Sequence, residues 1–141
     1  MSAPGKTVLL ADDDKVQTLM LSSLLRAKGY RVDSAFDATQ TFTTAIRNTP
    51  DVIVLDIQMP AGTGLLALER LKSSSKTSQI PVIVLSGSVD PNAEASVRQL
   101  GADVYLSKPV NVDELLGTLA RVLGQTPEGQ SRGGGAATPP V

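Results

Sequence analysis

The chain has 141 residues, a length that favours one domain around a single core. Thirteen Lys and Arg residues against fourteen Asp and Glu leave a net charge of −1, which indicates neither a nucleic-acid-binding protein nor an acidic tail. Because the chain has no cysteine and no histidine, disulfides, thiol nucleophiles and a histidine general base are excluded. No apolar run approaches the ~20 residues that span a bilayer, and the first residues lack a secretory signal's apolar core, so we expect a cytoplasmic protein without membrane contact.

Five short apolar segments are predicted to be strands, of which the second is the weakest. The first, third and fourth are continuously apolar, which is typical of strands that are covered on both faces in a parallel sheet. In chain order the segments are TVLLA (7–11), YRVDSA (30–35), DVIVL (51–55), PVIVL (81–85) and DVYL (103–106).

Helical periodicity appears between and after these segments. Apolar residues recur every three or four positions in stripes that would cover the sheet. The stripes are Val112, Leu115, Leu116, Leu119 and Leu123; Ala38, Phe42, Ala45 and Ile46; and Ala93, Val97 and Leu100. A first helix is predicted over about 15–28, ended by Gly29, and Gly101 would end another.

Several acidic or amide residues have the spacing of helix N-caps. The pairs Asp14 with Gln17, Asp37 with Gln40 and Asn111 with Glu114 fit a capping box, and Asp90 is followed by a proline. Each pair places the start of a helix directly after a predicted strand or its loop.

Five β-α repeats predict an α/β three-layer sandwich with a parallel sheet and right-handed crossovers. A closed barrel of this type would need eight repeats. We expect a domain over 6–124, a disordered N-terminus over 1–5, and a flexible tail or interdomain linker over 125–141, where Gly, Pro, Ser and Thr dominate.

Polar residues follow the predicted strands at one common edge of the sheet. Asp12 and Asp13 follow the first strand, Asp56 ends the third, Ser86 ends the fourth, and Lys108 comes just after the fifth. Because the carboxyl ends of parallel strands share an edge, these side chains should converge where open α/β sheets bind ligands.

The predicted cluster has the chemistry of a phosphoryl site. Three close carboxylates require a cation, and ligation by oxygen alone selects Mg²⁺, Mn²⁺ or Ca²⁺; a site with few carboxylates favours Mg²⁺, with Mn²⁺ as the alternative. Lys108 and Ser86 can hold phosphoryl oxygens. The remaining nucleophile is a carboxylate, whose attack on phosphorus would give an acyl phosphate.

The motifs LLADDDK, VIVLDIQMP, VIVLSG and YLSKP, in this order, resemble the receiver domain of two-component response regulators over residues 6 to about 124. The resemblance implies the flavodoxin-like strand order 2-1-3-4-5. It also implies that Asp56 accepts phosphate from a histidine on a sensor kinase or phosphotransfer protein, and that Ser86 and Lys108 grip the phosphoryl oxygens. The implied Mg²⁺ ligands are Asp12, Asp13, Asp56 and the backbone carbonyl of Gln58.

The same resemblance implies a switch in which the Ser86 hydroxyl moves toward the phosphoryl group and Tyr105 turns inward. The surface formed by residues 91–123 would then change its affinity for an output protein or domain. The Lys108-Pro109 bond matches one that is cis in relatives. A homodimer through the fourth-helix to fifth-helix face is left open, as is the effect of Gln58, of Ser88 and of the AGTG loop with Gly62 on the phosphoryl lifetime.

Three other classes of protein share part of this pattern. A phosphatase of the haloacid dehalogenase type would need an acid two residues after the nucleophile, where this chain has Gln58. A flavin or nucleotide binder would need a Gly- or Thr-rich loop after the first strand, where ADDDK stands. A receiver-like interaction module that is not phosphorylated remains the alternative. As a phosphoacceptor, the domain is expected to assist its own phosphorylation and dephosphorylation, and not to act as an enzyme on other substrates.

Overall fold

A computed structural model describes residues 5–59 and 63–124 of the chain. Within these residues, five strands alternate with five helices, as the sequence predicts. In chain order they are β1 (Thr7–Ala11), α1 (Lys15–Ala27), β2 (Arg31–Ala35), α2 (Ala38–Asn48), β3 (Val52–Asp56), α3 (Thr63–Ser73), β4 (Val82–Ser86), α4 (Pro91–Gln99), β5 (Val104–Ser107) and α5 (Val112–Val122).

The strands form one parallel sheet in the order β2-β1-β3-β4-β5. The order that the family resemblance implied is therefore confirmed, as is the α/β fold class. β3 lies in the centre of the sheet, and the register pairs Ala11 of β1 with Leu55 and Leu85 of β4 with Asp56. The carboxyl ends of β1, β3 and β4 thus stand side by side.

Alternate residues of the central strands point into two separate apolar clusters, which makes the molecule three-layered. On one face, Leu9, Ile53 and Val84 pack with α2, α3 and α4. On the other, Val8, Val54, Ile83 and their neighbours pack with α1 and α5. Every residue of β3 and β4 is buried, which explains why these strands read as uninterrupted apolar runs.

Three strands begin and end one residue later than the apolar segments that predicted them, and Asp56 and Ser86 end β3 and β4 as expected. β3, β4 and β5 extend to Asp56, Ser86 and Ser107, because the parallel ladder continues through the first polar residue after each apolar run. The predicted starts of the helices agree with the structure: Asp37, Asp90 and Asn111 are N-caps, and each accepts a backbone hydrogen bond through a side-chain oxygen. Gly29 and Gly101 follow α1 and α4 with φ of 98° and 109°, a left-handed conformation that favours glycine.

Gly64 allows the start of α3 to lie against the end of β3. A Cβ atom at this position would overlap the backbone carbonyl of Ile57. No larger residue fits there without a backbone shift, and the contact brings α3 close to the carboxyl edge of the sheet.

Some predictions lie outside the described residues. These are Ala61 and Gly62 of the AGTG loop, the tail over 125–141, and residues 1–4 of the predicted N-terminal segment. In the part of the chain that the structure describes, no helix combines the length and apolarity needed to cross a membrane.

Candidate functional site

The carboxyl edge of the sheet collects the acidic residues that the sequence singled out. Asp12 follows β1 directly, Asp13 comes next, and Asp56 is the last residue of β3. Ligand oxygens of these three residues lie within 4.8 Å of one another. The predicted convergence of residues far apart in the chain is therefore seen in the fold.

Asp56 is buried and is held by two donors from different segments. Only 3% of the surface of Asp56 is exposed to solvent. Its Oδ1 accepts a hydrogen bond of 2.9 Å from the backbone N–H of Gln58, and its Oδ2 accepts one of 2.8 Å from Nζ of Lys108. Both carboxylate oxygens are thus oriented, while the ammonium group places a positive charge directly beside the carboxylate.

Asp12 is also buried, and its carboxylate is held at both oxygens. Oδ1 accepts from the backbone N–H of Asp14 at 2.9 Å, and Oδ2 accepts from Nε2 of Gln17 at 2.8 Å. The predicted capping box of Asp14 with Gln17 is therefore only half correct. Asp14 caps α1 by accepting from the backbone N–H groups of Val16 and Gln17, but the Gln17 side chain turns to Asp12.

Burial raises the pKa of Asp12 from its ordinary value of 3.8 to about 6. The N–H of Asp14 opposes this change, the nearby Asp56 charge adds to it, and the Lys108 ammonium again opposes it. The raised pKa means that the charged form of Asp12 is destabilised in the folded chain. The hydrogen bonds that Asp12 accepts do not fully offset this destabilisation.

The three carboxylates fit a hard divalent cation. Two like charges ~4 Å apart repel by about 4 kcal/mol at an effective dielectric constant of 20, so the single ammonium of Lys108 cannot balance three carboxylates. The donor atoms are all oxygens, which suits Mg²⁺ or Mn²⁺. Asp13 is exposed, so the cluster is open to solvent on that side. The backbone carbonyl of Gln58 as a further ligand stays a prediction.

Ser86 ends β4, Lys108 follows the neighbouring β5, and a backbone hydrogen bond joins them. The N–H of Lys108 donates to the carbonyl of Ser86 at 2.8 Å. Ser86 is 1% exposed, and its hydroxyl oxygen accepts from the N–H of Ser88 at 3.1 Å, which leaves the hydroxyl proton available for another acceptor. Both residues thus lie on the predicted edge of the sheet.

The side chain of Gln58 connects two loops at this edge. Its Oε1 accepts a short hydrogen bond of 2.6 Å from the N–H of Gly87, directly after β4. A Cβ atom at position 87 would lie 3.0 Å from the same Oε1, so glycine accommodates this approach. The sequence identified Gln58 but gave no sign of its contact with Gly87.

Tyr105 lies on β5, where it is half-buried and packs against the apolar cluster that includes Val97 of α4. Its predicted role in a switch remains a prediction. The Lys108-Pro109 peptide bond is cis, as the family resemblance implied.

The raised pKa of Asp12 predicts an unusual pH dependence for the metal-free protein. Because the folded state binds this proton more tightly than the unfolded state, the stabilisation is full below about 3.8 and is lost as pH rises through about 6. In chelator, the melting temperature should therefore be higher at pH 5.5 than at pH 7, as measured by circular dichroism. Asp12→Asn should remove the difference; an equal difference in that variant would contradict the assignment.

Comparison with known protein families identifies the family to which the chain belongs. Residues 8–120 match the family described as the response regulator receiver domain. The chain therefore belongs to that family, which is the receiver domain of two-component signalling systems.

Similar proteins include stand-alone receivers and longer regulators. The chain is 29% identical over 119 residues to the polar-differentiation response regulator DivK of Brucella anthropi, covering 84% of this chain and 97% of that protein. It is 32% identical over 127 residues to the phosphate regulon transcriptional regulatory protein PhoB of Pseudomonas aeruginosa, covering 90% of this chain. That match spans only 56% of PhoB, so the chain corresponds to little more than half of the longer regulator.

Solved structures agree with the fold. The chemotaxis protein CheY4 of Vibrio cholerae matches with a TM-score of 0.78 at 32% identity, over 85% of this chain and 99% of that one. The receiver domain of the sensor histidine kinase PA1611 of Pseudomonas aeruginosa matches with a TM-score of 0.77 at 29% identity, over 85% and 98% of the two chains. That receiver domain has a magnesium ion coordinated in its active-site cleft.

Proposed function

We propose that the chain is a phosphorylation-dependent switch in which Asp56 accepts a phosphoryl group from a phosphohistidine of a sensor kinase or phosphotransfer protein. The observation that carries the proposal is the setting of Asp56. Its carboxylate is buried at the end of the central strand, beside an ammonium group and two further carboxylates. A carboxylate used only for solubility or capping would not be placed there.

The transfer can be written with the chain's own residues. A carboxylate oxygen of Asp56 attacks phosphorus, the P–N bond of the phosphohistidine breaks, and the leaving imidazole takes up a proton from solvent. Lys108 and the Ser86 hydroxyl would receive the equatorial oxygens of the transferred group, whose charge is greatest in the transition state. The products are an acyl phosphate on Asp56 and a neutral histidine on the donor.

Asp12, Asp13, Asp56 and the Gln58 carbonyl would hold Mg²⁺, with Mn²⁺ as a substitute. When bound, the ion supplies positive charge against the phosphoryl oxygens and the carboxylates. The close oxygens of the three acids support this assignment because they concentrate negative charge, and the burial that raises the pKa of Asp12 makes a neutralising cation favourable.

The side chain of Gln58 argues against turnover as a phosphatase. A carboxamide has no acidic proton to give to a leaving group, and its oxygen is engaged by the N–H of Gly87. The acyl phosphate is accordingly expected to be a stored signal and not an intermediate of phosphatase turnover on other substrates.

The proposal is tested by incubating the chain with a small phosphodonor and Mg²⁺ and measuring its intact mass. We expect the addition of one phosphoryl group, lost on treatment with hydroxylamine and absent when a chelator is present. Peptide fragmentation should locate the group at Asp56. No adduct would favour the alternative, an interaction module that is not phosphorylated, and an adduct on a hydroxyl residue would contradict Asp56 as the acceptor.

The surface of α1 beside the acidic cluster is suited to the protein that donates phosphate. Val16, Leu19 and Met20 are 78%, 67% and 55% exposed, and they form one apolar strip on the helix that begins at the acidic residues. Because Asp56 is almost inaccessible, a phosphohistidine can reach it only if the donor packs closely against this rim. The strip would provide the apolar contact that such an encounter needs.

Replacing Leu19 with serine should separate docking from chemistry. Transfer from a phosphotransfer protein that labels the parent chain should slow by about tenfold, because one apolar anchor is worth roughly 1–3 kcal/mol. Labelling by the small phosphodonor should be unchanged, since Leu19 is exposed and contacts no site residue. Leu66→Ser, on the exposed side of α3, is the matched control. Equal loss with both donors would contradict a docking role.

Output is proposed to pass through the surface formed by residues 91–123, which contains α4, β5 and α5. Ser86 lies next to this surface and Tyr105 within it, half-buried against the α4 side of the core. A coupling of ~1–3 kcal/mol between phosphorylation and this surface changes partner affinity roughly 5- to 150-fold. The partner would be an output protein or domain, or a second copy of the chain.

A further inference from the structure

Gln17 extends its side chain from α1 to the carboxylate of Asp12. Its Nε2 donates to Oδ2 of Asp12 at 2.8 Å, while the N–H of Asp14 holds the other oxygen of the same carboxylate. A carboxylate held by one donor can still rotate about its Cβ–Cγ bond. With a donor on each oxygen, the plane of the Asp12 carboxylate is fixed.

The start of α1 does not need the Gln17 side chain. The backbone N–H of Gln17 already donates to Oδ1 of Asp14, and the N–H of Val16 donates to the same oxygen. The equivalent glutamine of α2 behaves differently: Gln40 stays at its helix start, where its Oε1 accepts from the N–H of Phe36 at 2.9 Å. Gln17 is half-buried, and its carboxamide is turned toward the site.

The chemistry of the side chain suits this position. A carboxamide donates a hydrogen bond without adding charge. Lysine or arginine would bring a cation that competes with a bound metal, and glutamate would add a fourth negative charge to an already crowded cluster. Groups that orient a metal-binding carboxylate from behind commonly change metal affinity by about 10- to 100-fold when they are removed.

We propose that Gln17 is a positioning residue for the metal site: it fixes the Asp12 carboxylate in the orientation that a divalent cation requires. This inference rests on the proposed function only in taking Asp12 as a metal ligand. The hydrogen bond of the Gln17 side chain goes to Asp12 and not to Asp56, so Gln17 would act through Asp12.

The test compares Mg²⁺ affinity with the rate of phosphorylation. In Gln17→Met, calorimetric titration should show Mg²⁺ bound about tenfold more weakly. Gln17→Asn keeps the carboxamide but is one methylene shorter, so it should show the same loss. At saturating Mg²⁺, labelling of both variants by a small phosphodonor should return to within about threefold of the parent, because the groups that contact Asp56 are intact.

Gln40→Met is the matched control, since it removes a glutamine from the same position of another helix. Its Mg²⁺ affinity should equal that of the parent, and its melting temperature in chelator corrects for loss of helix stability. Parent-like Mg²⁺ affinity in Gln17→Met or in Gln17→Asn would overturn the inference while leaving the proposed function intact. A parent chain that binds no Mg²⁺ would overturn both, which keeps the two failures distinct.

Discussion

Asp56→Asn is expected to abolish phosphorylation completely while leaving the fold unchanged. The asparagine amide is not a nucleophile, but its Oδ1 can still accept from Lys108 or from the N–H of Gln58, and its volume matches that of aspartate. Intact mass after incubation with a small phosphodonor and Mg²⁺ should show no adduct at any time. The far-ultraviolet circular dichroism spectrum should match that of the parent.

The same substitution should also change the pKa of Asp12. The Asp56 charge helps to raise the pKa of Asp12, so its removal should bring that pKa closer to its ordinary value. The difference in melting temperature between pH 5.5 and pH 7 in chelator should therefore shrink in Asp56→Asn. This result links the two residues without any phosphodonor.

Asp51→Asn is the matched control, because it also replaces an aspartate at one end of β3. Asp51 precedes β3 at the opposite edge of the sheet, where its Oδ2 accepts from the N–H of Thr7. Asparagine can keep that bond, so phosphorylation should be normal. A phosphoryl adduct that survives Asp56→Asn would require another acceptor and would contradict the proposed site.

The location of the site could be predicted from the sequence because parallel strands impose it. Once Asp56 and Ser86 were assigned to the ends of two buried apolar runs, the shared carboxyl edge followed from geometry. Their separation in the chain did not matter. The order of the strands could not be derived in this way, because the alternation of strands and helices permits several orders. Only the family resemblance selected the observed order.

The partners of individual side chains could not be predicted in the same way. Gln17 and Gln40 occupy the same position after an N-cap, yet one carboxamide holds Asp12 and the other holds a backbone N–H. The choice depends on which acceptor the neighbouring strand brings within reach, and this is a property of the packed sheet. Gly64 shows the same limit: the sequence singled out only Gly62 of the AGTG loop, whereas the fold uses the missing side chain of Gly64 for a close contact.

Lys108→Met should slow phosphorylation by about 10²-fold and should strengthen, not weaken, the binding of Mg²⁺. The Lys108 ammonium lies 2.8 Å from Oδ2 of Asp56, where it can neutralise charge that develops on the transferred group. Loss of one such preorganised group typically costs 10²–10³ in rate. The same ammonium repels a divalent cation, so its removal should tighten Mg²⁺ binding. Calorimetry and the labelling rate should therefore change in opposite directions.

Lys72→Met is the matched control, because Lys72 also pairs with an aspartate from a partly buried position. Its Nζ donates to the carbonyl oxygens of Ile80 and Ser78 and to Asp103, at the amino edge of the sheet. Loss of these bonds should lower the free energy of unfolding by about 1–3 kcal/mol. Labelling per folded molecule should not change, because no bond of Lys72 reaches the carboxyl edge. If both variants lost stability and labelling in parallel, the effect of Lys108 would be structural; a loss of labelling confined to Lys108→Met assigns it to the transfer itself.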